Sequence, residues 1–129
     1  MNFPSNLRYT KNDEWVRVEG GVATAGITDY AQDQLSDIVY VELPSAGPTL
    51  KQGQSMASVE SVKAASEVYM PIGGTITQVN DSLSDSPELV NQDPYGKAWM
   101  VKFTPSNVGE LDGLMDAGAY EAYCTGREH

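Results

Sequence analysis

The chain has 129 residues, room for one domain around a single core, and its 40% apolar and 20% charged residues are ordinary for a soluble globular protein. Eight basic residues against eighteen acidic ones give a formal charge of −10, which disfavours nucleic acid and anionic lipid as partners. A single cysteine, Cys124, and a single histidine, the terminal His129, leave no internal disulfide, no Cys/His zinc set and no well-placed imidazole for nucleophilic catalysis.

The opening "MNFPSNLRYTKNDEW" has neither the apolar core of a signal peptide nor an Arg-rich leader, and no apolar run approaches membrane-spanning length. The expectation is a cytoplasmic protein in a reducing compartment. "WVRV" (15–18) and "VATAG" (22–26) read as strands joined by a hairpin at Gly20-Gly21. "ITDYAQDQL" switches to helical spacing, with Thr28 as cap and Asp29 at the favourable end of the helix dipole. Ile27, Ala31 and Leu35 form its apolar side. "DIVYVEL" (37–43) alternates again up to Pro44, and Gly47-Pro48 and Gly53 break the chain that follows.

Next come two short runs flanking "ESVKA", then a strand in "PIGGTITQVN", a helical turn in "SDSPELVN" and a last strand, "AWMVKF" (98–103). In the helical turn Ser86 is the expected N-cap and Pro87 the first helical residue. From Pro105 onward the spacing predicts one C-terminal helix docked on the β core. Asn107 and Glu110 stand at capping-box distance, and Val108, Leu111, Leu114, Met115 and Tyr120 lie near one face. A faint internal echo relates residues 37–60 to residues 74–103 as strand, turn, strand. It predicts two similar sheets face to face, with the "ESVKA" hairpin at one end.

Lys63 is one of only five lysines and falls at the tip of that hairpin. A turn lysine is most often a solvated charge. Here, however, the turn lacks Asn-Gly or Asp-Gly chemistry, Val62 is apolar at an exposed tip, and the chain offers almost nothing but carboxylates for chemistry of its own. A primary amine on a rigid hairpin suits enzymatic acylation, which removes its charge and attaches a reactive arm. Lipoyl and biotinyl attachment are the candidates.

The segments "YTKNDEWVRVEG", "VATAGITDYAQDQLSDIVYVELP", "VESVKAASEVYMP", "GTITQVND", "DSPELVNQDPYGKAWMVK" and "ELDGLMDAGAYEAY" together resemble the H-protein family of the glycine cleavage system over nearly the whole chain. Biotinyl domains typically carry Met on both sides of the lysine, where Val62 and Ala64 stand here. Lipoyl domains of 2-oxoacid dehydrogenases lack the "SPELVNQDPYG" segment.

The resemblance implies a mainly β fold, a β-sandwich or flattened barrel of the lipoyl-domain (barrel-sandwich hybrid) type, with short helices and a C-terminal helix. It implies a single lipoyl-carrier domain over 1–129, with a core at about 8–123 and a C-terminal tail at 124–129. It implies lipoate as the cofactor, amide-linked to Lys63 as N6-lipoyllysine, in a shuttle that is not itself a catalyst. The implied partners are a pyridoxal-phosphate glycine decarboxylase, a tetrahydrofolate-dependent aminomethyltransferase, the flavoprotein dihydrolipoyl dehydrogenase, and a lipoate ligase or octanoyltransferase. The carrier is expected to be a monomer, cytoplasmic in a bacterium or in the mitochondrial matrix as a matured eukaryotic form.

In the family the loaded arm folds into a surface cleft, where burial shields its water-labile cargo. By position Glu14 matches the glutamate that would accept the cargo's ammonium there. Glu60 and Glu67 are candidates for ligase or partner recognition. The chain departs from the family at Asp13, where many members have His, and at Ser36, where glycine is common. Two other readings remain open at this stage: an H-like relay that hands lipoyl groups to other enzymes, and an unmodified β-sandwich interaction module.

Overall fold

The computed structural model describes residues 1–127; His129 lies outside them. The strands are β1 (Arg8–Tyr9), β2 (Glu14–Glu19), β3 (Val22–Ile27), β4 (Ile38–Glu42), β5 (Thr49–Leu50), β6 (Ser55–Ser61), β7 (Ala65–Tyr69), β8 (Gly74–Val79) and β9 (Val101–Pro105). They form a six-stranded antiparallel sheet in the order β1-β2-β3-β9-β8-β5 and a three-stranded sheet in the order β4-β6-β7. The internal echo does not yield two similar sheets: its first copy puts β4 and β6 in the smaller sheet but β5 in the larger, paired with β8 of the second copy, so one sheet has six strands and the other three. The α-helices among the described residues are α1 (Asp29–Leu35), α2 (Ser82–Asp85), α3 (Leu89–Gln92) and α4 (Ala117–Arg127).

Between the sheets lies the main core, with Val16, Ala25 and Phe103 from the larger sheet against Val41, Val59 and Val68 from the smaller. A second cluster sits apart and is aromatic: Tyr9, Trp15, Tyr30 and Tyr120, with Leu7 and Cys124. This explains why β2 does not alternate. Glu14, Trp15 and Val16 are all buried, because this cluster, drawn from β1 (Tyr9), α1 (Tyr30) and α4 (Tyr120) with Tyr95 against the Trp15 ring, covers the face that a two-layer sandwich would leave wet. The Trp15 indole lies across Gly26, its register partner, where a Cβ would approach Nε1 to 3.0 Å.

Most elements match the sequence reading, and the β2–β3 hairpin turns through Gly20 (φ 57°) and Gly21 (φ 79°) as its glycines require. Thr28 caps α1, its Oγ1 accepting from the Ala31 amide. Two boundaries differ. The turn at "SDSPELVN" becomes regular helix only at Leu89, with Glu88 at the cap position, and Ser86 instead terminates α2. The single helix expected from residue 107 is two pieces. A 3₁₀ segment, Val108–Gly113, is capped by Asn107 as expected. Glu110 does not close a capping box, because its Oε1 accepts from the Gly73 amide instead. Met115 then pairs with Tyr9 as a β-bridge before α4 begins, and Asp116 caps α4 through the Ala119 amide. Gly109 and Gly113, which weaken a continuous helix, both fall in the 3₁₀ segment before the break. At the far end α4 continues to Arg127, so residues 124–127, read as part of a tail, belong to the helix, and Cys124 is buried.

Candidate functional site

The tip of the β6–β7 hairpin is Val62-Lys63-Ala64, and Ser61 holds it. Ser61 Oγ accepts from the Lys63 and Ala64 amides at 3.1 and 3.0 Å, and the Ser61 amide donates to the Ala64 carbonyl at 2.8 Å. The Val62 amide donates to Asp37 O at 3.0 Å, tying the tip to the start of β4. A serine hydroxyl thus replaces the Asn-Gly chemistry that the sequence lacks. The Lys63 side chain is exposed and forms no ion pair among the described residues; its Nζ donates to the Gln34 carbonyl at 3.4 Å.

Gln34 stands at the rim of a cleft of about 200 Å³. Its walls are α1 (Ala31, Gln34, Leu35), the turn Asn12-Asp13, and the inner side of the lysine hairpin (Val59, Ser66, Glu67, Val68), with Ile27 beneath. An apolar floor with a polar rim accommodates an aliphatic chain.

Residues 86–96, the "SPELVNQDPYG" segment, tie down both ends of α1. Asn91 donates to Gln32 Oε1 and to the Ser36 carbonyl and accepts from the Ile38 amide at 2.9 Å, fixing the end of α1 to the start of β4. Tyr95 Oη accepts from the Asp29 amide at 3.0 Å at the other end of α1, and the Pro94 carbonyl accepts from Trp15 Nε1 at 3.0 Å.

Glu14 is only 1% exposed and sits behind the cleft wall, between the lining residue Asp13 and the strand that carries Val68. Its Oε1 accepts from Thr10 Oγ1 at 2.5 Å and its Oε2 from the Tyr69 amide at 3.2 Å. Burial pushes its carboxyl up to about 7, against the lowering effect of those two hydrogen bonds, and the nearby Asp13 charge adds to the rise. A carboxyl poised there accepts a proton or a cation with little further cost. Glu67 lines the cleft from its exposed edge, with Ser55 Oγ donating to Oε2 at 2.7 Å. Glu60 faces outward on the smaller sheet, in register with Tyr40 and Ala65, away from the cleft. Glu67 and Asp13 therefore line the cleft, Lys63 reaches its rim at Gln34, Glu14 backs it, and Glu60 belongs to the outer face.

The two positions that depart from the family pattern share a feature. Among the described residues, Asp13 (φ 69°) and Ser36 (φ 67°) are the non-glycine residues in the left-handed region. Ser36 ends α1 with ψ −151°, a combination that glycine adopts freely and serine does not. Ser36→Gly is expected to raise stability by about 1 kcal/mol, strain relief exceeding the added freedom of the unfolded chain. A denaturant midpoint shift at unchanged slope checks this, and a loss of stability would show that the Asn91 hydrogen bonds already absorb the strain.

Comparison with known proteins shows which chains this one is similar to. A model of the family described as glycine cleavage H-protein matches residues 7–127. The chain is 55% identical over 122 residues to the glycine cleavage system H protein of Brevibacillus brevis, covering 95% of this chain and 97% of that one. It is 49% identical over 122 residues to that of Bacteroides fragilis, at 95% and 97% coverage. Among solved structures, a glycine cleavage system H protein from Mycobacterium marinum superposes with a TM-score of 0.86 at 35% identity, over 94% of this chain and 98% of that one.

Proposed function

The chain belongs to the glycine cleavage H-protein family, as a lipoyl-carrying shuttle component, and on that premise we propose that Lys63 is its lipoyl attachment point and the adjoining cleft the dock for the loaded arm. One observation carries the reading: an exposed primary amine, without an ion pair among the described residues, stands at the rim of an apolar cleft backed by a buried carboxyl. The residues present fit the group. Ile27, Leu35, Val59 and Val68 suit its aliphatic chain, and the fixed turn presents the amine to a ligase without disturbing the core.

Lipoate bound as N6-lipoyllysine supplies a dithiolane able to carry a one-carbon unit and to cycle between disulfide and dithiol, chemistry that no side chain here possesses. The protein's own part is to hold, orient and shield. Glu14 supplies the negative charge toward the cargo's ammonium, and the apolar floor excludes water. The chain itself is not a catalyst in this reading. It moves the aminomethyl cargo from a pyridoxal-phosphate glycine decarboxylase to a tetrahydrofolate-dependent aminomethyltransferase, and dihydrolipoyl dehydrogenase reoxidises the arm. Glu60 and Glu67, at the hairpin's outer face and edge, are the acids a ligase or octanoyltransferase would meet. Its bacterial relatives support a cytoplasmic setting.

Intact mass of the protein expressed with lipoate, followed by peptide mapping over residues 55–70, tests the assignment. A single lipoyl-amide increment on Lys63 is the expected result. No increment in a host whose other lipoyl domains are modified would overturn it.

A further inference from the structure

The end of α4 reaches back to the cleft. Arg127 Nη2 donates to Asp13 Oδ1 at 2.6 Å and Nη1 to Oδ2 at 3.1 Å, a two-pronged pair between residues 114 apart in sequence. The guanidinium lies over the Tyr30 ring of α1 at 4.2 Å and over the Tyr123 ring at 4.3 Å. Asp13 Oδ1 also accepts from Tyr120 Oη at 2.8 Å. Because that hydroxyl donates to Asp13, the 2.7 Å contact between Tyr120 Oη and Thr28 Oγ1 must have Thr28 as donor. Thr28 Oγ1 in turn accepts from the Ala31 amide, and the Thr28 amide donates to the Asp13 carbonyl at 3.0 Å. A one-way chain of donors thus runs from the first turn of α1 through α4 to Asp13, and Arg127 closes it.

Asp13 and α1 are two of the three walls of the cleft; the lysine hairpin is the third. Asp13 sits at φ 69°, a conformation aspartate tolerates but does not favour, so something must hold it there. We infer that Arg127 is a positioning residue of the arm dock: through Asp13 and Tyr30 it locks the Asn12-Asp13 turn to α1 and thereby fixes the opening across which the hairpin wall faces them. The inference rests on the cleft being the dock. It assigns a task to α4 that lysine attachment does not need, because nothing in this network touches the hairpin tip.

Planarity matters to the mechanism. Arginine offers two parallel donors and a flat face to two rings, whereas lysine offers one charge and neither.

The test compares wild type, Arg127→Gln, Asp13→Asn, the double variant and Arg127→Lys, each as the full chain. In the unmodified proteins, amide hydrogen exchange is read at Thr28 and Ala31, with Lys63 and Ala64 as internal controls. Arg127→Gln is expected to speed exchange at Thr28 and Ala31 roughly tenfold, a size typical of breaking one member of a coupled network, and to leave the controls unchanged. Once lipoylated and loaded, it should lose the aminomethyl cargo about fivefold faster, with Arg127→Lys in between and the double variant no worse than the poorer single.

Unchanged exchange overturns the inference. So does acceleration that includes the hairpin controls, or a double variant whose effects multiply. A separate comparison isolates the premise. If loaded wild type loses cargo as fast as a loaded lipoyl peptide of residues 55–70, the cleft is not the dock. If wild type protects its cargo and Arg127→Gln protects it equally, only the role of Arg127 falls.

Discussion

Lys63→Arg protein, purified from a lipoate-supplied host, will carry no lipoyl mass and will support no glycine decarboxylation above background when mixed with the other components of the system. Arginine keeps the charge, the approximate reach and a donor for the Gln34 carbonyl, so the substitution removes the acylatable amine and little else. The hairpin rests on Ser61 and on the backbone bond from Val62 to Asp37, and neither uses the lysine side chain. Stability should therefore stay within about 0.5 kcal/mol of wild type, as for other exposed positions away from caps and cores. Loss of activity together with loss of fold would leave the lysine unassigned, which is why the thermal midpoint belongs beside the assay. Activity retained by a folded, unmodified variant would remove Lys63 from the reaction.

The lysine was legible because its signals are local. An apolar Val62 at an exposed tip and a turn without Asn-Gly chemistry are visible in five consecutive residues. Strands and hairpins were legible for the same reason, since alternation and paired glycines act over a few positions. The cleft was not. Its walls come from residues near 13, 31 and 67, and only the fold brings them together. Glu14 could be matched to a role by position in "NDEWVRV", yet nothing in the sequence shows that Trp15 and Val16 would be buried beside it, because an aromatic cluster assembled from β1, α1 and α4 covers the second face of β2. Arg127 illustrates the limit most sharply. Its charge at the end of a glycine-containing stretch reads as a solvated tail, and its partner lies 114 residues away. Asp13 and Ser36 gave a partial warning: both stood out as departures, and both prove to hold left-handed backbone at the edges of α1's wall.

Glu14→Gln is expected to separate stability from function, and in opposite directions. The carboxyl is held up at about 7 in the folded protein, above the ordinary 4.5, chiefly because it is buried. Below pH 4.5 both folded and unfolded chains keep it protonated and it costs nothing. Between 4.5 and 7 the unfolded chain gives up the proton first, so folded-state stability falls as pH rises, and above 7 the loss is complete. Integrated over that window the cost is roughly 3 kcal/mol at most.

Glutamine does not titrate, so its variant should gain on wild type steadily from pH 4.5 to 7 and hold that gain at pH 8. A constant offset of about 1–2 kcal/mol the other way is expected, since the amide cannot accept from both Thr10 Oγ1 and the Tyr69 amide without one unfavourable meeting. The offset does not alter the slope, and the slope is the test. A difference between the two proteins that is flat with pH would show that Glu14 ionises normally.

On the proposed reading the same ionisation serves the cargo. Only the carboxylate pairs with an ammonium in the cleft, so retention of cargo by wild type should improve as pH rises through about 7, where stability is being lost. Glu14→Gln should be lipoylated normally and lose cargo about 10- to 100-fold faster at pH 8, the scale of a hydrogen bond to a charged group. On that reading the cost of burying the carboxylate is the counterpart of its use: the empty dock would be destabilised, and an arriving cation would relieve it. Equal cargo decay in the two proteins at pH 8 would detach Glu14 from the arm and leave its burial a purely structural cost.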